Sequence, residues 1–366
     1  MVNATSNTAS VRTRRRIRRV AAIAMLAGLG LFIPGTAAHA VLPLCPPSGA
    51  LIGFSDALDG AVLDGQPVSE LSALALDVRS GGFISVSDEV PTLFFLRHPA
   101  SPEATRTVPL RAADGTPFTG DTFDGEGVAV LPDGRVLVSS ELEPSIRIFT
   151  RGGLQVGSLE VPARFQVAPA GQARANGTLE GLTISPSGKY VYAAMEAPLS
   201  GDAPATGESL IRRILVYRAD GHGGYALLKQ IGYATEPGHR ISEIGAYADG
   251  KFVIQEIAFT PGVGVDDLLY AVTGALGAVD VTGVPNLATA PASAIVEKSL
   301  AIHVNECPPG GATHPGPQAN PLLDNYEGLW VGAPLGAGPA VLEIISDNNS
   351  NPTQVTRLVR FAALLP

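Results

Sequence analysis

Acidic residues recur in this chain around short hairpins, in the pairing that a divalent cation needs. In Phe123–Pro144, FDGEGVAVLPDGRVLVSSELEP, Asp124 and Glu126 open the stretch. Glu141 and Glu143 end it, and a Pro-Asp-Gly turn lies between. Leu71–Glu89, Leu179–Ala197, Ser242–Ala258 and Tyr326–Asn349 share the plan. In an antiparallel hairpin the start of the first strand lies beside the end of the second. The first strands then open with Ser72, Glu126, Glu180, Glu243 and Glu327, and the second strands end with Asp88, Glu141, Glu196, Glu256 and Asp347. Nine of these ten positions are acidic, against 34 acids in 366 residues overall, so the recurrence exceeds the background. Carboxylates that converge in a partly dry channel repel one another and raise their own pKa values. A bound cation relieves that, and hard oxygen ligands suit Ca²⁺ first, then Mg²⁺ or Mn²⁺. The expected metal ligands are Glu126, Glu180, Glu243, Glu327, Glu141, Glu196, Glu256, Asp88 and Asp347.

The elements that must carry these acids are strands. Each unit is an apolar strand, a glycine turn such as PDG, PSG or ADG, and a second apolar strand. Glycine supplies the positive φ that such turns require. A third strand candidate follows each hairpin: TLFFLRH, SIRIFTR, RILVYRA, DLLYAVT and QVTRLVRFA. The openings at 72, 126, 180, 243 and 327 are separated by 54, 54, 63 and 84 residues. A period near fifty with several strands per unit predicts an all-β fold, a single β-propeller. Five hairpin repeats are clear and six blades are expected. The long 243–327 interval leaves open a degenerate blade or an insertion. The last unit runs out after three strands, and Gly49–Ser55 is expected to pair with it and close the ring.

The first forty residues read as an export signal. VRTRRRIRRV carries six arginines and no acid, a short apolar run follows, and Ala38–Ala40 is an A-x-A cleavage pattern. The run falls short of the ~20 apolar residues that a membrane span needs. The expected division is thus a signal peptide at 1–40 and one propeller domain at 41–366, secreted or periplasmic, monomeric and without a membrane span. Losing six of the 25 basic residues leaves 19 against 34 acids, a net charge near −15. That argues against a nucleic-acid partner, which calls for a basic face. The two cysteines, Cys45 and Cys307, suit a disulfide in an oxidising compartment.

Other chemistry is sparsely represented. No G-x-S-x-G elbow is present, which argues against an α/β-hydrolase mechanism. His239, just before the fourth hairpin, is a candidate general base overhanging the channel. Arg147, Lys189 and Lys251 fall on strands or turns away from the acids, so few cations are expected beside them.

The D-x-E-G-[VL]-x-[VL]-x-P-D-G hairpins, ISE at Ile241–Glu243, DNYEGL at Asp324–Leu329 and SDNN…PTQ at Ser346–Gln354 together resemble the phytase-like family, whose members carry the label "esterase-like activity of phytase". The resemblance spans nearly the whole chain after the leader. It implies a secreted propeller with an acidic, calcium-binding central site. Two departures stand out: Ser72 where an acid is expected, with Glu70 two residues earlier, and SEIGAY in place of an EGL-type strand. The expected activity is metal-dependent hydrolysis of a small-molecule phosphate or carboxylic ester. Two alternatives stand beside it: a non-catalytic binding propeller with a structural metal, and a lactonase-like propeller.

Overall fold

The computed structural model describes residues 42–97, 101–334, 336 and 338–366. The signal peptide expected at 1–40 lies outside them. Five antiparallel sheets of four or more strands form along the chain. The first holds Ala75–Asp77, Gly82–Ser87, Thr92–Arg97 and Glu103–Pro109. The second holds Gly125–Val130, Val136–Ser140, Ser145–Phe149 and Gln155–Leu159. The third holds Leu179–Ile184, Tyr190–Met195, Ile211–Ala219 and Tyr225–Ala234. The fourth holds Arg240–Ala248, Lys251–Thr260, Gly264–Val272 and Lys298–His303. The fifth starts with Tyr326–Val331, Ala340–Ser346 and Leu358–Ala363, and Gly49–Ser55 pairs antiparallel along the last of these.

The protein is therefore an all-β propeller, and the expectation of six blades is corrected to five. The long interval holds no blade among the described residues. Between Val272 and Lys298 the chain makes two short 3₁₀ turns, Leu287–Thr289 and Ala292–Ala294, and covers the third sheet. Its apolar residues Val281, Leu287 and Ala294 form a small cluster of their own. The buried Arg213 fixes it, donating to the carbonyls of Val281 at 2.9 Å and Val284 at 2.7 Å while paired with Asp202.

Strand periodicity explains the packing. Successive side chains on a strand point to opposite faces. Val128 and Val130 join the cluster shared with the first sheet, whereas Ala129 and Leu131 join the one shared with the third. Tyr192 and Ala194 likewise face the fourth sheet, and Val191, Ala193 and Met195 face the second. Five apolar clusters fill the gaps between neighbouring sheets, one of them joining the fifth to the first. Strands sandwiched this way are apolar on both faces, so they read as continuous apolar runs.

Cys45 and Cys307 form a disulfide with Cα atoms 4.3 Å apart, across 262 residues of sequence. Such a link contributes about 2–5 kcal/mol in small secreted domains. Among the described residues no helix is long and apolar enough to cross a membrane.

Candidate metal centre at the acidic end of the inner strands

The first strands of the five sheets lie side by side around the centre. Four of them carry a β-bulge near their start. The pairing shifts register between Val138 and Ser140, between Leu179 and Gly181, between Ile241 and Glu243, and between Tyr326 and Gly328. A bulge leaves one residue out of the ladder and re-aims its side chain. The out-of-ladder residues are Glu126, Glu180, Ser242 and Glu327. In the first sheet Leu71 bridges Ser87, which gives Ser72 the same place. The glycine after the bulge lets the next inner strand approach. A Cβ at Gly127 would lie 2.4 Å from Leu182 Cβ, and one at Gly328 would lie 2.6 Å from the Ala73 carbonyl carbon.

This register corrects the fourth hairpin. Ile241 pairs with Glu256 and Glu243 with Gln255, so Ser242 and Ile257 take the positions that Glu243 and Glu256 were expected to hold. Glu243 stands instead where its neighbours have glycine. Its Oε1 accepts from the backbone N–H groups of Leu182 and Ile244, both at 2.8 Å. Glu256 turns away to Lys298 Nζ at 2.6 Å, to the Glu236 N–H at 2.7 Å and to the Tyr233 hydroxyl.

The other seven expected carboxylates come together, joined by Asp124. Ligand oxygens of Asp88, Asp124 and Glu126 lie within 4.8 Å of one another, as do those of Glu126, Glu141 and Glu180. Glu126 belongs to both groups. Arg240 crosses the other side of the cluster. Its Nη1 lies 2.7 Å from Glu180 and 3.3 Å from Glu196, and its Nη2 lies 2.6 Å from Glu327. Nη2 also donates to Asn325 Oδ1 at 3.2 Å. Sequence reasoning missed this arginine, although its position carries a signal. Two residues before each bulge, on the same strand face, stand Glu70, Asp124, Thr178, Arg240 and Asn325, all polar. His239, the candidate base, points its Nε2 at Asp266, 3.2 Å away, and Asp266 in turn meets His303 Nε2 at 2.7 Å.

The electrostatics are those of crowded, dry carboxylates. Burial, then repulsion from Glu180, Glu327, Asp124 and Asp88, holds Glu126 well above the usual carboxylate range. Glu180 is raised in the same way by burial and by Glu196. Burial and the charges of Glu327, Glu70 and Asp124 push Asp88 up to about 7. Burial and Glu196 push Glu141 to about 7 as well. Burial, Glu327 and Asp88 push Asp347 to about 9. Burial alone would lower the Arg240 guanidinium, but Glu327, Glu180 and Glu196 outweigh it and hold the charge in place.

A pH dependence follows. Unfolded Asp and Glu titrate near about 4, whereas folded Asp88 and Glu141 do so at about 7 and Asp347 at about 9. Between those values the folded chain binds more protons than the unfolded one. Stability therefore falls as pH rises through that window and levels off above it. In EDTA the protein should melt at least ~5 °C higher at about pH 5.5 than at about pH 8.5. Calorimetry at both values checks this, and equal melting temperatures would contradict the crowding.

Residues 66–350 match the family model described as "Phytase-like: Esterase-like activity of phytase". The chain belongs to the phytase-like family. No curated protein matches this phytase-like chain. Among solved structures it is similar to a PQQ-bound aldose sugar dehydrogenase from Streptomyces coelicolor, at 12% identity and a TM-score of 0.39, covering 87% of this chain and 99% of that one. It is also similar to a gluconolactonase from Xanthomonas campestris, at 10% identity and TM-score 0.38, with coverage of 87% and 89%. A virginiamycin B lyase from Staphylococcus aureus matches at 11% identity and TM-score 0.37, with coverage of 82% and 68%.

Proposed function

We propose that this phytase-like propeller binds a divalent cation, calcium first, and hydrolyses phosphate or carboxylic esters of small molecules. The observation that carries the reading is a large excess of converging carboxylates over the guanidinium groups that reach them. Among the described residues eight carboxylates, those of Asp88, Asp124, Glu126, Glu141, Glu180, Glu196, Glu327 and Asp347, face two guanidinium groups: Arg240, which reaches Glu180, Glu196 and Glu327, and the exposed Arg174, 3.5 Å from Glu196.

The donor set fits a hard cation. Every candidate ligand is an oxygen, as calcium and magnesium require. Two buried hydroxyls also lack hydrogen-bond partners there among the described residues: Ser72 Oγ and Ser242 Oγ. The two serines hold the bulge positions not taken by glutamate, and unpaired buried polar atoms are costly. Arg240 already serves Glu180, Glu196 and Glu327. The open side is thus Asp88, Asp124, Glu126 and Glu141, and these residues would hold the ion. An ion there supplies Lewis-acid polarisation of an ester oxygen and activation of water. Arg240 fixes the three carboxylates opposite and has no spare charge for a phosphate.

A second reading rests on the histidines. His239 engages Asp266 and His314 engages Asp324 at 3.0 Å, so neither serves the acidic cluster as a base. That arrangement favours a binding propeller with a structural ion. Hydrolysis of p-nitrophenyl phosphate, p-nitrophenyl acetate and a simple lactone, each with calcium and with EDTA, separates the readings. Calcium-dependent turnover of either nitrophenyl ester is the expected result. Turnover of the lactone alone selects a lactonase. Calcium binding without turnover of any of the three overturns the hydrolytic reading and leaves the structural ion.

A further inference from the structure

We propose that the recess beside Arg240 is a subsite for a neutral polyhydroxylated ring, a sugar or polyol unit. The recess has a volume of about 520 Å³ and lies among the turn after Lys251–Thr260, the loop before Tyr326 and the loop after Ser346. That volume falls within the range of about 300–1,000 Å³ usual for small-ligand sites. Arg240 and Asn325 form the wall it shares with the acidic cluster.

Of the five primary amides on its lining, Gln318, Asn325 and Asn351 are oriented by their oxygens and leave their nitrogens free among the described residues. Gln318 Oε1 accepts from the Val265 N–H at 2.8 Å, and Asn325 Oδ1 from Arg240 at 3.2 Å. Asn351 Oδ1 accepts from Thr353, at 3.0 Å from its N–H and 2.9 Å from its hydroxyl. An anchored oxygen fixes where the –NH₂ points, and each –NH₂ offers two donors. Among the described residues the amide nitrogens of Gln318, Asn325 and Asn351 donate no hydrogen bond. The recess therefore offers oriented donors with no unpaired positive charge. An anionic ligand would meet the field of the neighbouring carboxylates. A neutral ligand rich in hydroxyl and ether oxygens would not.

The opposite wall supplies the apolar surface that a ring needs. Phe259 lines the recess and is 70% exposed, beside Ile257, Val265 and Pro317. A sugar ring has a C–H face for such a surface and an oxygen edge for the donors. The idea that the ring belongs to an ester substrate rests on the hydrolytic reading above; ring binding itself does not.

Saturation-transfer NMR with methyl β-glucoside, methyl β-galactoside and myo-inositol tests this on the whole protein in EDTA. Transfer to at least one ring is expected without any metal. Phe259→Ala should weaken its binding about tenfold, the effect of about 1.4 kcal/mol. Gln318→Glu keeps the acceptor for Val265 but removes two donors and adds a charge, and it should weaken binding at least as much. No transfer to any of the three probes, or wild-type transfer in both variants at unchanged melting temperature, overturns the proposal. Ring binding in a protein inert to both nitrophenyl esters would leave the subsite standing and sink only the hydrolytic reading.

Discussion

Replacing Arg240 with methionine should lower the stability of the calcium-free protein by about 3–5 kcal/mol near neutral pH, the cost of removing one partner of a buried ionic group. Methionine keeps much of the arginine stem but leaves Glu180 and Glu327 without their counter-charge and Glu196 with only the exposed Arg174. Glu180 and Glu196, already raised by burial, would then climb further and hold protons more tightly. The loss should accordingly be larger at about pH 8.5 than at about pH 5.5, because raised carboxyl pKa values cost stability above the unfolded values. Calcium should recover part of it, since an added cation replaces the missing charge. Denaturant melts at both pH values, with and without calcium, measure all three effects. A variant as stable as wild type at the higher pH would show that Arg240 does not hold the cluster together.

Glu126→Gln should abolish most of the calcium response. Glu126 belongs to both close carboxylate groups, so its loss removes a shared ligand and one of the negative charges. At a calcium concentration one hundred times the dissociation constant, wild type gains ~2.7 kcal/mol by mass action. Affinity weakened a hundredfold would leave only ~0.4 kcal/mol at the same concentration. In EDTA the variant should be more stable than wild type near about pH 8.5, because one repelling charge is gone. Two comparisons make the result specific. Glu208→Gln, in an exposed loop, should leave the calcium response intact. Glu256→Gln should destabilise the protein by weakening the bond to Lys298, again with the calcium response intact. A calcium shift retained in Glu126→Gln, or lost in Glu256→Gln, would refute the assignment of the ion to the bulge-centred cluster.

Much of the fold was legible because its signals are local. A glycine turn between two apolar runs makes a hairpin whatever lies elsewhere, and five such hairpins, each followed by a third strand, imply repeated antiparallel sheets. The acids at the hairpin ends were legible for the same reason, since antiparallel pairing alone places Glu126 near Glu141 and Glu180 near Glu196. The pairing of Cys45 with Cys307 followed from there being no other cysteine.

Three features were decided only by tertiary structure. The residues between Val272 and Lys298 formed no blade of their own because their backbone bridges the edge of the third sheet, at Gly232 and Ile295, and their apolar side chains cluster there. The register of the fourth hairpin depended on where its bulge fell. Ser242 and Glu243 are adjacent in sequence, but a one-residue slip in a strand sends each side chain to the opposite face, so Glu243 entered backbone hydrogen bonds and Ser242 took the channel position. Arg240 became the hub of three carboxylates only because the third, fourth and fifth sheets converge there. Its partners lie 60, 44 and 87 residues away along the chain, at Glu180, Glu196 and Glu327, and no local pattern couples charges across that distance.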